Sequence, residues 1–382
     1  MDVLVGQWST SEGWTWSNRD AAIPSTADLF LVFGDRAILT EQGGGPLRDI
    51  LRHSPNAVAV GCSTAGEILG ESVREGSLAV AAIRFHASRV RLVTAPITRT
   101  TSREAGQRIA ESLASPDLAH VFVLSDGLDV NGSELVAGLR EGLPSGVQAT
   151  GGLSADGARF ERTGVWVNGS FHSNLAVGVG FYGQALRIGY GSVGGWDAFG
   201  PDRLVTRSSG NVLYELDGRS ALALYKLYLG EYAEGLPASG LLFPLLVRKD
   251  EHDPGFVRTI IAVDEKAESL IFAGDVPQGA LARLMKANFD RLIDGASGAG
   301  ALAHEALGRR AAQLAVLISC VGRKLILRQR TEEEVQAVRE RLEVPLPIVG
   351  FYSNGEISPS RAGVPTDFHN QTMTVTTLAE DA

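Results

Sequence analysis

One pattern recurs three times along this chain: an apolar run, a helical segment, a second apolar run ending in a glycine turn, and a closing apolar run. The first copy opens at Leu29-Phe30-Leu31-Val32-Phe33. Its helix starts at Gly45-Pro46 and carries Leu47, Ile50 and Leu51; the turn follows Val58-Ala59-Val60, and the closing run covers 78–85. The second opens at Val121-Phe122-Val123-Leu124. Asn131 stands at the helix start with Glu134 three residues on, the turn is Thr150-Gly151-Gly152-Leu153-Ser154-Ala155-Asp156-Gly157, and 175–181 closes it. The third opens at Leu314-Ala315-Val316-Leu317-Ile318. Its helix begins at Thr331 with Glu334 at the capping-box position, and 372–378 closes it. A helical crossover makes the first two runs of each unit parallel neighbours. Runs without polar alternation suit strands buried on both faces. The expected fold is α/β: two domains with mixed, largely parallel-core sheets built from repeated strand–helix–strand–strand units. Gly61, Gly151 and Gly350 should hold equivalent places.

Between the units the periodicity predicts a helix over 101–113 with Thr101 and Glu104 as a capping box. It also predicts a hairpin joining 257–263 to 269–273, and a helix from Pro277 carrying Leu281, Leu284, Met285, Phe289 and Leu292. Glycines cluster over 189–200 before Pro201, which sets the expected boundary: domains 1–200 and 201–382.

Composition excludes several classes. A hydrophobic fraction of 44% with 21% charged residues is globular, not disordered. The net charge of -9 and the lack of a basic run argue against a nucleic-acid partner. No stretch is long and apolar enough for a membrane helix. No basic segment precedes an apolar one at the N-terminus, and two cysteines make no disulfide framework, so the expectation is a cytoplasmic protein.

Ligands of parallel α/β sheets sit outside strand carboxyl ends, so the three glycine turns should share one rim. Glycine there lets backbone N–H groups approach a ligand. The candidate ligand-binding residues are Cys62, Ser63, Thr64, Glu67, Asp126, Gly151, Gly152, Arg323, Tyr352, Ser353, Asn354 and Glu356. Together they offer donors for a carboxylate and carboxylates for an amine, which suits a zwitterion such as an amino acid. The other reading is that these are ordinary tight-turn residues. Arg323 clamps a ligand carboxylate or forms an interdomain ion pair. Glu67 and Glu356 are an acid/base couple or, as the residues favour, each ties down its own turn.

Two turns also carry a resemblance. Gly61-Cys62-Ser63-Thr64-Ala65-Gly66-Glu67-Ile68 resembles the signature turn of the FIST N-terminal domain. Gly350-Phe351-Tyr352-Ser353-Asn354-Gly355-Glu356-Ile357 resembles that of the FIST C-terminal domain. Leu242-Phe243-Pro244-Leu245-Leu246-Val247, Val257-Arg258 and Gly274-Asp275-Val276-Pro277-Gln278-Gly279 are similar to the opening of the C-terminal domain. Ser319-Cys320-Val321-Gly322-Arg323 and Phe368-His369-Asn370-Gln371-Thr372 are similar to its later parts. The resemblance implies a bacterial-type sensory module that binds a small polar ligand, with amino acids proposed, and signals to a partner. That partner would be a separate protein, such as a histidine kinase or cyclase, because after Leu378 only a short acidic tail follows. A similar subgroup binds haem and senses nitric oxide.

The competing functions are that haem sensor and a Cys- or Ser-dependent amide hydrolase. The seven histidines show no metal spacing, and the expectation is no cofactor. A single proximal histidine would suffice for haem, and His369 is the most interesting because of its polar neighbours. Cys62 and Cys320 lack a visible base and orienter, so buried packing suits them better. Gly43-Gly44-Gly45-Pro46 matches neither a Walker A loop nor a dinucleotide fingerprint. Trp8, Trp14 and Trp16 pack over the domain edge or mark an interface.

Overall fold

The structure is a computed structural model that describes residues 1–17, 26–40, 45–253, 255–308, 310–342 and 345–381. Gly43 and Gly44 lie outside the described residues.

Each unit builds its own mixed sheet. In the first, Leu29–Gly34 runs parallel to Val58–Ser63, and Leu78–Arg84 lies antiparallel on the other side. Leu118–Ser125, Gln148–Leu153 and Leu175–Tyr182 repeat that arrangement in the second. Leu314–Cys320, Ile348–Ser353 and Met373–Glu380 repeat it in the third. The three glycines share one register position. Gly61 pairs with Val32, Gly151 with Val123 and Gly350 with Leu317. A Cβ on each would stand 1.8, 1.8 and 1.9 Å from that partner's carbonyl oxygen, so any side chain would force the parallel strands apart.

The hairpin after each turn leaves its own sheet. Glu67–Leu69 pairs with Ile348–Ser353 of the third unit, Val165–Val167 with Val58–Ser63 of the first, and Gly355–Ser358 with Gln148–Leu153 of the second. The exchange is cyclic and closes three sheets into one interlocked body. The inner faces meet in a shared core that includes Phe33, Phe122 and Phe351, with the Phe33 and Phe351 rings stacked at 4.6 Å. Helices cover the outer faces: Gly45–His53 on the first sheet, Ser102–Leu113 and Gly132–Gly142 on the second, Phe289–Ala306 and Thr331–Leu342 on the third. Burial on both faces explains the absence of polar alternation. Each phenylalanine so buried contributes about 1.5–3 kcal/mol.

A further sheet is inserted between the second and third units, beginning with Trp196–Ser209 and ending with Leu281–Ala287. The glycines Gly194 and Gly195 separate it from Leu186–Val193, which belongs to the third unit's sheet. That sheet also takes Glu67–Leu69 and Ser72–Arg74 from the N-terminal half.

Three local expectations are corrected. Leu281–Ala287 is a strand, held between Trp196–Ser209 and Leu245–Arg248, so two sheet partners override its helical spacing. The helix starts only at Phe289, where Asn288 accepts from the N–H groups of Asp290 and Arg291. Thr101 makes no side-chain cap; its hydroxyl accepts instead from the N–H of Thr98. In the expected hairpin, Ile260–Asp264 does pair with Ser269–Phe272, but Phe256–Arg258 turns away to pair with Leu245–Arg248. Asn131 caps its helix as expected, accepting from the N–H groups of Ser133 and Glu134.

Candidate functional site

The three glycine turns do converge, and they converge inside the protein. Three equivalent backbone bonds link them in a ring: Ala65 N–H to the Tyr352 carbonyl at 2.9 Å, Ala155 N–H to Ser63 at 2.9 Å, and Asn354 N–H to Leu153 at 3.2 Å. Cys62, Ser63, Thr64, Glu67, Asp126, Tyr352, Ser353, Asn354 and Glu356 are all buried, with Gly151 and Gly152 in the adjacent strand.

Their carboxylates face protein donors. Glu67 accepts from the hydroxyls of Thr64 (2.5 Å) and Ser77 (2.7 Å) and from the Ser77 N–H (3.2 Å). Glu356 repeats this with the Ser353 hydroxyl at 2.7 Å and the Thr372 hydroxyl and N–H at 2.9 and 3.1 Å. In the second unit Asp126 does the same work for Thr163 (2.5 Å) and the Asn174 N–H (2.7 Å). Ser77, Asn174 and Thr372 each stand directly before a closing strand, so each carboxylate ties its turn to that strand. Burial pushes Glu67 up to about 7 and Glu356 up to about 8.

Arg323 is fully buried and meets Glu334, whose carboxylate leaves the capping role expected of it. Nε donates to Glu334 Oε2 at 2.9 Å, and Nη1 and Nη2 donate to the carbonyls of Gly194 (2.8 Å) and Leu292 (2.7 Å). Ser319 and Tyr352 donate to the other Glu334 oxygen at 3.0 and 2.6 Å. These bonds tie the third unit's core to the segments flanking the inserted sheet. The guanidinium has no exposed face to offer a ligand.

Two of the solvent-connected cavities bear on the site. One, of about 260 Å³, gathers all three units: Thr64, Gly66 and Glu67 from the first, Asp156 and Arg159 from the second, Lys324 from the third. Lys324 Nζ spans it, donating to the Ala65 carbonyl at 2.6 Å and pairing with Glu75. Thr64 and Glu67 are the candidate residues that reach this cleft.

The other cavity, of about 630 Å³, lies where the inserted sheet meets the second unit. Ser133, at the start of the helix Gly132–Gly142, forms one wall, and Arg248, Phe256, Arg258, Asp275 and Pro277 line the insertion's side. Arg258 is only 4% exposed. Its Nε donates to the Asp275 carbonyl at 3.0 Å; its remaining bonds are long, to Val257 (3.4 Å) and Phe368 (3.3 Å) carbonyls and the Ser133 hydroxyl (3.4 Å). Its Cζ lies 4.9 Å from the centre of the Phe256 ring, within cation–π distance. Burial pulls Arg258 down to about 10, still cationic at neutral pH. Volume and a preset cation make this the better candidate for a ligand site. The candidate list omitted it. The usable signal was an arginine inside the apolar run Phe256-Val257-Arg258-Thr259-Ile260, since lone charges are seldom buried without purpose.

Cys62 and Cys320 are buried, and burial raises both thiols, which suits packing. His369 donates from Nε2 to the Ser358 carbonyl at 2.9 Å, a bond to the neighbouring strand. Among the described residues no group of three His, Cys, Asp or Glu is placed to hold a metal ion, and no helix is long and apolar enough to cross a membrane.

Compared with known families, residues 28–219 match the FIST N domain and residues 221–359 match the FIST C domain. No curated protein matches the chain.

Proposed function

The chain belongs to the FIST family, whose domains are small-ligand sensory domains of signalling proteins, and from that premise we propose that it senses a small polar ligand bound in the cavity beside Arg258. The observation that carries the reading is the position of that cavity. It is walled on one side by the inserted sheet and on another by Ser133, so an occupant touches two bodies at once. Polar bonds across the junction include Asn131 Nδ2 to Asp275 at 2.6 Å, the Asp275 N–H to Ser133 at 3.0 Å, Gly132 N–H to Ala273 at 3.0 Å and Thr259 N–H to Asn370 at 3.3 Å, beside those of Arg258. A ligand that bonds both walls favours one relative placement of them, which is what a sensor needs. The site acts in the cytoplasm without a resident cofactor and passes its signal to a separate protein such as a histidine kinase or cyclase.

A thermal-shift screen of small metabolites tests the reading, because a ligand at 100 times its Kd adds about 2.7 kcal/mol to stability. At least one compound should raise the melting temperature. Gln278→Trp, a substitution at an exposed wall residue, should abolish that rise. A rise that survives Gln278→Trp moves the site elsewhere. A Soret band in the purified protein would oppose the cofactor-free reading.

A further inference from the structure

The charges around the larger cavity are unequally satisfied, and this narrows the chemistry of its occupant. The inference rests on the reading of this cavity as the sensory site. Each lining carboxylate has a donor. Asp253 accepts the N–H groups of Lys249 (2.7 Å) and Gly255 (3.1 Å), Asp275 accepts from Asn131, and Asp367 accepts the Phe368 N–H at 2.8 Å. Arg248 has a counterion in Asp202 at 2.6 Å. Arg258 has neutral acceptors alone, and among the described residues no carboxylate lies within ion-pair distance of it. Four bonds against five N–H groups leave at least one donor without an acceptor.

Asp367 and Asp275 act on Arg258 electrostatically without reaching contact distance, so its burial is only partly compensated, and a bound anion relieves the remaining cost. The guanidinium is also held in position: Phe256 lies within cation–π distance of it, and its Nε–Asp275 bond holds the head in place. A carboxylate oxygen accepts a strong charge-assisted bond from such an open N–H. Around it Val247, Pro277 and Ala280 supply an apolar wall. We infer that the cavity takes a small organic carboxylate, its carboxylate on the open Nη2 N–H of Arg258 and its apolar body against Val247, Pro277 and Ala280.

The test is calorimetric titration of the full chain with butanoate, 4-methylpentanoate and benzoate, each beside its primary amide and beside sodium sulfate. At least one acid should bind, with its amide about 10- to 150-fold weaker, the range expected for losing a charged hydrogen bond. Arg258→Met should weaken acid binding by a similar factor, and Arg258→Lys should recover part of it. Equal binding of acid and amide, unchanged affinity in a folded Arg258→Met, or sulfate binding as tightly as the best acid would each overturn the carboxylate assignment. If an amide binds in a Gln278→Trp-sensitive way while no acid does, the assignment falls and the sensory cavity stands. If no probe binds and the metabolite screen also finds no Gln278→Trp-sensitive ligand, both fall.

Discussion

Two buried arginines divide the molecule into a part that is finished and a part that is open. Arg323 and Arg258 are 0% and 4% exposed, and both bond backbone carbonyls. Arg323 also has Glu334 at 2.8 Å, and that carboxylate is itself saturated by Ser319 and Tyr352. Arg258 has Asp367 and Asp275 nearby but no carboxylate within ion-pair distance among the described residues, and it lines a solvent-connected cavity. The first arrangement is a closed network that locks the third unit to its flanking segments. The second leaves a charge only partly compensated, the one the proposed ligand would neutralise. Burial alone therefore does not distinguish the two arginines; the identity of their partners does.

The comparison can be broken most forcefully at Glu334. Glu334→Leu strands the Arg323 charge and should cost about 3–5 kcal/mol, read from the urea midpoint. A loss under about 1 kcal/mol would show that the network carries little stability. Arg323→Met combined with Glu334→Leu should cost less than the sum of the two single changes. A coupling near the upper end of about 0.5–3 kcal/mol is expected in a double-mutant cycle, and plain additivity would mean the two side chains act independently.

The pH response extends the contrast to Glu356, a carboxyl near Arg323 that burial raises to about 8 from an ordinary value of 4.5. The folded protein keeps a proton there that the unfolded chain releases above about 4.5. Stability from this group is therefore present at low pH and lost as pH rises toward 8, by up to about 1.4 kcal/mol per unit. Glu67, raised to about 7, adds a contribution of the same sign. Denaturation midpoints should fall between pH 6 and 8, and Glu356→Gln should flatten the slope. A midpoint that rises over this window contradicts the burial argument.

The smallest stability effect belongs to Arg258. Removing a partly compensated buried charge offsets the loss of four hydrogen bonds, three of them long, so Arg258→Met should change unliganded stability by less than about 1 kcal/mol. A loss as large as that of Glu334→Leu would make Arg258 a second structural arginine and remove the contrast.

Much of this was legible from residue order. The triple strand–helix–strand unit, the equivalence of Gly61, Gly151 and Gly350 and the Asn131 cap all rest on local periods and on contacts within one unit. Leu281–Ala287 was misread as helix because its apolar spacing fits either period, and only the strands on both sides decide between them. Asn288, the true helix start, lay inside the stretch that had been read as continuous helix.

The sequence by itself determined that three similar parallel-core units exist and that glycine must stand where their strands approach most closely, because those demands act between neighbours a crossover apart. It also held the polar inventory of the turns. Which of those groups meets which was decided by the tertiary structure. Each hairpin crosses to another unit's sheet, so the turns close into a buried ring in which Glu67, Asp126 and Glu356 tie down strands. Arg323 and Glu334 are 11 positions apart and meet; Arg258 and Ser133 are 125 apart and frame a cavity. Counterions and cavities arise from side chains that long-range strand pairing brings together, and no local period encodes that pairing.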